Sequence, residues 1–430
     1  MEPVLQVALD FLDLPRALKV AEEAVAGGAD WFEAGTPLIK SEGLEAVRAL
    51  RKKYPKKVIV ADMKIIDTGR IEVEAAAKAG ANVVGVLGEA SAATIRECIE
   101  AARNYGAKIM VDLIECPDVV GRAKEAEALG AHFLGVHAAI DVQMQGLDPF
   151  KELREVSRAV GIPVSVAGGI NSETAAEAVK AGAEIVVVGG AIIKSADAKR
   201  ATAEIKKALI TGEKIETTLY KRGNTQNIRE ILEQVSTSNI SDALHRGGEI
   251  QGLHPVKKGL KMVGTAVTVR TYPGDWAKPV EAIDEAKEGE VIVIDAGGVG
   301  PAVWGELATH SSLQKGLSGV VIDGAIRDTP EIARLKFPAF ARIVTPAAGE
   351  PKGFGEIGVP IKVGGVKIFP GDWIVSDDDG LVVIPKEKAV EYANRAMDVL
   401  ERENRLRKEI QEKSTLSQVG YLKKWEKVGE

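Results

Sequence analysis

Between residues 5 and 208 the chain alternates short runs of Val, Ile and Ala with longer Ala/Glu/Lys-rich stretches whose apolar positions recur at a helical period. Short apolar strands separated by amphipathic helices are the pattern of β/α units around a parallel sheet. The strand-like runs are Leu5–Phe11, Trp31–Gly35, Val58–Lys64, Asn82–Gly88, Lys108–Glu115, Phe133–Ala139, Val164–Ile170 and Ile185–Ile192. Their starts recur at roughly 25-residue spacing, and Gly28-Ala29-Asp30, Gly80-Ala81-Asn82, Gly130-Ala131-His132 and Gly182-Ala183-Glu184 form a shared entry cue. Eight such units close a TIM (β/α)8 barrel, so the predicted fold is α/β with a barrel over residues 1–208.

The rhythm breaks at 209–226, Leu-Ile-Thr-Gly-Glu-Lys-Ile-Glu onward, which reads as a linker. Residues 227–430 are expected to form a smaller mixed α/β domain. Strand-like runs there fall at Val263–Val269, Val291–Asp295, Val320–Ile322, Ala341–Val344, Ile361–Val363, Trp373–Ser376 and Gly380–Ile384. Helical stretches are sparser. One runs to about Gln234 and is followed by capping residues around Ser236, and a charged helix from about Lys386 to Lys413 closes the domain.

Composition narrows the function without defining it. A chain of 430 residues exceeds what one core organises, which agrees with two domains. With 45% hydrophobic and 27% charged residues the balance is that of globular protein, and no apolar run reaches membrane-spanning length. The strand pattern starting at Val4 leaves no room for a signal peptide, and Cys98 and Cys116 supply no disulfide framework; a cytoplasmic location is expected. A net charge of −6 without basic tracts argues against nucleic acid or a membrane surface as partner.

The chemistry concentrates at strand ends, where TIM barrels carry their active sites. In Asp62-Met63-Lys64-Ile65-Ile66-Asp67 a lysine lies between two carboxylates. On an extended strand Asp62 and Lys64 share a face, with Asp67 just beyond, so three charges are expected to converge. Such a cluster is costly unless its members neutralise one another or bind a metal and substrate. Glu33 ends the neighbouring strand, and Glu33 with Asp62 suits a hard cation, Mg2+ first. His137 ends the sixth strand and is the candidate for proton transfer. Asp10 ends the first. Gly168-Gly169 and Gly189-Gly190 close the last two strands, where backbone N–H groups and helix starts can hold a phosphate.

Together Leu5–Asp10, Glu33–Gly43, Asp62–Gly69 and Gly135–His137 resemble the 3-hexulose-6-phosphate synthase family of the orotidine-5′-phosphate decarboxylase superfamily, over nearly all of residues 1–208. The resemblance implies a magnesium-assisted, reversible aldol condensation of formaldehyde with the phosphorylated sugar ribulose 5-phosphate. It also implies a dimer in which Asp67 reaches the neighbouring subunit's site; Asp10, Lys64, Asp67 and His137 are the candidate catalytic residues of this half. Glu33 argues against orotidine-5′-phosphate decarboxylases, which carry lysine there. The alternative is 3-keto-L-gulonate-6-phosphate decarboxylase, which shares Glu33 and the Asp62-x-Lys64-x-x-Asp67 pattern; Thr36-Pro37-Leu38-Ile39-Lys40 favours the synthase.

In the second domain the loop Gly297-Gly298-Val299-Gly300 and the pair Arg327-Asp328 would together bind a 2-oxo acid and a metal. Arg327 forks a carboxylate, Gly298 offers backbone N–H, Asp328 holds magnesium through water, and Glu306 serves as a base or orients a water. An ordinary surface ion pair would show the same dipeptide. Gly264–Arg270, Gly289–Asp295, Asp323–Asp328 and Gly371–Gly380 resemble the RraA-like family over about 227–400. That family includes class II 4-hydroxy-4-methyl-2-oxoglutarate aldolases, often with oxaloacetate decarboxylase activity, and ribonuclease E regulators. Glu331 favours a catalytic member over a regulatory one. The family forms trimers or larger rings, so a homo-oligomer, with a hexamer satisfying both halves, is expected.

Overall fold

A computed structural model describes residues 2–138, 149–217, 226–412 and 414–420. Part of the expected linker, Ala139 of the sixth strand run and the last ten residues lie outside that set. The described residues up to 217, joined by 401–412 and 414–420, form one compact unit; 226–400 form a second.

The first unit is a closed barrel of eight parallel strands in sequence order: β1 Val4–Leu9, β2 Trp31–Ala34, β3 Val58–Ile65, β4 Val83–Leu87, β5 Lys108–Asp112, β6 Phe133–His137, β7 Val164–Ala167 and β8 Ile185–Val188. Each strand buries both faces, which is why the sequence shows continuous apolar runs rather than alternation. Inward positions such as Val60, Val83, Met110, Phe133, Ile185 and Val187 fill the barrel interior. The other face packs Leu5, Val7, Ile59, Val84, Ile109 and Val186 against the surrounding helices. β8 stops at Val188, because Gly190–Ile193 turns into a short helix; its apolar Ala-Ile-Ile reads as strand only in the sequence.

The second unit is built on β9 His254–Pro255, β10 Met262–Thr271, β11 Val291–Asp295, β12 Ala302–Trp304, β13 Gly319–Ile326, β14 Ala339–Val344, β15 Gly355–Ile357, β16 Ile361–Val363, β17 Val366–Ile368, β18 Trp373–Asp377 and β19 Gly380–Ile384. A nine-stranded sheet runs β19-β18-β10-β11-β13-β14-β9, with β12 on β13 and β15 on β10. Its centre, β10-β11-β13-β14, is parallel and its margins are antiparallel. On β11, Ile292 and Ile294 join one apolar layer and Val291 and Val293 the opposite one, the two-residue period of a strand covered on both sides. The closing helix begins at Ala389, three residues after the sequence suggests, behind a 3-10 turn at Lys386–Lys388.

Candidate active site

Two strand ends of the barrel meet on one lysine, and a third joins them through a shared carboxylate. Lys64 Nζ lies 2.8 and 2.9 Å from the two Asp62 oxygens and 2.7 Å from Asp112 Oδ2. His137 Nδ1 lies 3.2 Å from that same Asp112 oxygen. The second carboxylate on Lys64 is therefore Asp112, where the sequence pattern pointed to Asp67. Asp67 is exposed beyond the strand, and its Oδ1 accepts from the Thr68 N–H at 2.6 Å. In the sequence Asp112 is one of the informative charged residues near the barrel's strand ends, but without a site role; that role needs the ends of β3, β5 and β6 in three dimensions.

Asp62 and Lys64 do converge, though not by regular alternation. The β3–β4 register slips between Ala61 and Ile65, and Lys64 has φ of +53°, a left-handed conformation inside a strand. A bulge of this kind re-aims a side chain and recurs next to functional sites. Thr36 Oγ donates to Asp62 Oδ2 at 2.7 Å and locks its other side.

A second group is purely acidic. Glu33 on β2 accepts from the Gln6 amide, whose own oxygen has no partner among the described residues. Asp10 follows β1 and sits between two glycines: a Cβ on Gly35 would fall 2.1 Å from its Oδ1, and one on Gly189 would fall 3.1 Å from its Oδ2. Burial pushes the Glu33 carboxyl well above its ordinary range, and the charges of Asp62 and Asp10 push it further. Solvent reaches Asp10 from the mouth, yet the protein around it, followed by Asp62, raises it as well. Asp112 goes the other way. Burial alone would raise it, but the hydrogen bond and charge of His137, with Lys64, outweigh that and hold it at about 2. Lys64 is raised: burial opposes its charge, and Asp112 and Asp62 overcome burial.

The donor set at Glu33 and Asp62 fits a hard divalent ion, because mutually repelling carboxylates with all-oxygen chemistry are what such an ion neutralises. Among the described residues no three His, Cys, Asp or Glu side chains are already gathered as ligands, so waters or substrate oxygens would complete the shell. Across the mouth, Gly168 and Gly169 have φ of +115° and +67°, a conformation other residues rarely adopt, and it turns the chain sharply after β7.

In the second unit Arg327 follows β13 and its Nε lies 3.3 Å from Asp328 Oδ2. That carboxylate also accepts from the N–H of Glu306, the first residue of the helix Glu306–Gln314, at 3.2 Å. Arg327, Asp328 and Glu306 thus do come together. Gly298 does not serve as expected: its N–H donates to Asp323 O at 3.0 Å, and that of Gly297 to Asp295 Oδ1 at 3.2 Å, so the loop's first two donors are spent within the fold. Asp328 brings one carboxylate, already held by Arg327 and the Glu306 N–H, which is a poor fit for a metal. Glu331 pairs with Arg334 on its own helix.

A barrel with an acid, lysine and histidine array at its strand ends, followed by a parallel-centred sheet, agrees with two family matches. Residues 3–205 match the orotidine 5′-phosphate decarboxylase / HUMPS family, and the chain belongs to that family through this half. Residues 237–383 match the RraA-like family, described as Aldolase/RraA, so the chain is a fusion of the two. The 3-hexulose-6-phosphate synthase of Methylomonas aminofaciens is 44% identical over 201 residues, 46% of this chain and 96% of that protein. The 3-hexulose-6-phosphate synthase of Mycobacterium gastri is 42% identical over 205 residues, 48% of this chain and 99% of that protein. Over 35% of this chain and 92% of the other, the RNA-processing inhibitor RraA from Thermus thermophilis shows 31% identity with a TM-score of 0.33. Among the described residues no helix is long and apolar enough to cross a membrane.

Proposed function

We propose that the barrel catalyses the reversible, magnesium-dependent aldol condensation of D-ribulose 5-phosphate with formaldehyde. The observation that carries this reading is the single Asp112 oxygen shared by Lys64 and His137. An ionised carboxylate only accepts hydrogen bonds, so His137 carries its proton on Nδ1 and presents Nε2 as the proton acceptor. Nε2 takes a proton from C1 of the ketose, and the electron pair moves into the enediolate, whose oxygens gain charge beside the Lys64 ammonium. C1 then attacks the formaldehyde carbon, a C–C bond forms, and the proton on Nε2 passes to the new alkoxide. Magnesium held by Glu33 and Asp62 would supply Lewis-acid stabilisation of the same oxygens. Asp10 orients a substrate hydroxyl at the mouth, and the turns at Gly168-Gly169 and Gly189-Gly190 anchor the phosphate. Asp67 serves the site of a neighbouring subunit.

The test is formaldehyde-dependent consumption of ribulose 5-phosphate by the whole chain, abolished by EDTA and restored by Mg2+. Robust activity in Glu33→Ala would refute the metal assignment. For the second domain we propose that Arg327, half exposed beside Asp328 and Glu306, binds the carboxylate of a 2-oxo acid. Oxaloacetate turnover by the whole chain that Arg327→Ala leaves unchanged would sink that reading, and a regulatory domain would show no turnover at all.

A further inference from the structure

Just past the phosphate turn of β8, the chain is gripped by residues that come last in the sequence. After the short helix Gly190–Ile193 only Lys194 precedes Ser195 and Ala196, and both carbonyls of that pair accept hydrogen bonds from the closing helix Ala389–Gln411. Arg405 Nη1 donates to Ser195 O at 3.0 Å, and Lys408 donates to Ala196 O. The same guanidinium forks Glu23 at 2.9 and 3.1 Å and meets Glu409 at 2.9 Å, with its side chain only 2% exposed. Glu23 in turn accepts from the Ala198 N–H at 3.3 Å, at the start of the helix Ala198–Thr211. Residues 195–198 are therefore held through their carbonyls by Arg405 and Lys408, and through an N–H by the acid that Arg405 itself holds.

One residue upstream, Lys194 folds back over the turn, its Nζ 3.3 Å from where a Cβ on Gly190 would stand. Its charge is also felt at Asp10, across the mouth. A cavity of about 340 Å³ flanks this connection, lined by Lys194, Ser195 and Asp197 on one side and Glu401 and Asn404 on the other. An open space of that size leaves room on one side of the connection for it to shift once its ties are cut.

We infer that the segment 401–412 sets the geometry of the phosphate turn after β8, with Arg405 as the positioning residue. The inference rests on the reading of Gly189-Gly190 as part of a phosphate anchor. A buried, forked guanidinium fixes planar geometry better than a point charge, so its loss should loosen ground-state binding of the phosphate while sparing the chemistry at Lys64 and His137.

The experiment uses the full chain and reads KM for ribulose 5-phosphate, kcat, and the competitive inhibition constant of inorganic phosphate. In Arg405→Ala, KM and the phosphate constant both rise on the order of tenfold while kcat stays within about twofold, and Arg405→Lys recovers part of the loss. A lower melting temperature with KM and the phosphate constant unchanged would mean a merely structural patch and overturn the inference. Should Arg405→Ala fail to fold, Lys408→Ala, which gives up only a partly exposed side chain, carries the same reading: a rise in both constants supports it, and wild-type constants overturn it. Phosphate that does not compete with ribulose 5-phosphate in the wild type would instead sink the anchor reading, and the inference with it.

Discussion

Asp112 is the residue on which the barrel's charges are balanced, since one of its oxygens serves both Lys64 and His137. Asp112→Asn keeps the shape but offers an amide where an ionised acceptor stood, so the imidazole loses the partner that fixes its tautomer. The expected result is a fall in kcat of about 10²–10⁴, with the fold retained at a lowered melting temperature. The same carboxyl dictates an acid limit. Its folded value of about 2 lies below the ordinary 3.8, so its stabilisation, roughly 2 kcal/mol, is fully present above about pH 4 and is lost as pH falls toward 2. Thermal melts should therefore show the stability gap between wild type and Asp112→Asn constant from about pH 7 to 4.5 and closing only below; a gap that already narrows at pH 6 would contradict the assignment. Glu33, Asp62, Lys64 and His137 were legible because a charged side chain at the end of an apolar strand announces itself. The pairing of Lys64 with Asp112 was not, because the two are 48 residues apart and meet only when β3 and β5 close into a barrel.

Elements were most readable where burial is two-sided. The eight barrel runs are readable because continuous Val/Ile/Ala stretches have few other uses, while the apolar pattern continues a few residues past the strands into turns, as at Gly190–Ile193. His254–Pro255, Ala302–Trp304, Gly355–Ile357 and Val366–Ile368 went unseen, being two or three residues long with no period to detect. The β3 bulge was likewise invisible: nothing in Asp62-Met63-Lys64 marks a left-handed lysine. The end of β2 offers a sharper test. With Asp10 Oδ1 occupying the place of a Cβ on Gly35, Gly35→Ala must move either the acid or the strand end. It should cost about 1–3 kcal/mol in chemical denaturation and lower kcat/KM by about 10²-fold. Wild-type kinetics in that variant would show that the position of Asp10 is irrelevant to turnover.

At the scale of the molecule, each half has its own sheet and its own apolar layers, and composition together with the change of rhythm after residue 208 foretold that much. If the barrel pairs and the second domain forms rings of three, the smallest closed assembly is a hexamer of about 270 kDa, measurable by light scattering. A monomer at assay concentration would argue against a partner's Asp67 in the site. What the sequence concealed is that the first unit is discontinuous, taking in residues 401–420 after the whole second unit has been traversed. The curated synthases named above are matched over nearly their full length by the barrel half alone. Here, by contrast, a gene deletion that discarded everything after the linker would strand Glu23 without the guanidinium that forks it. A barrel cut back in this way would also lose the Arg405 and Lys408 donors to the Ser195 and Ala196 carbonyls, so the connection after β8 would have to be held by something else.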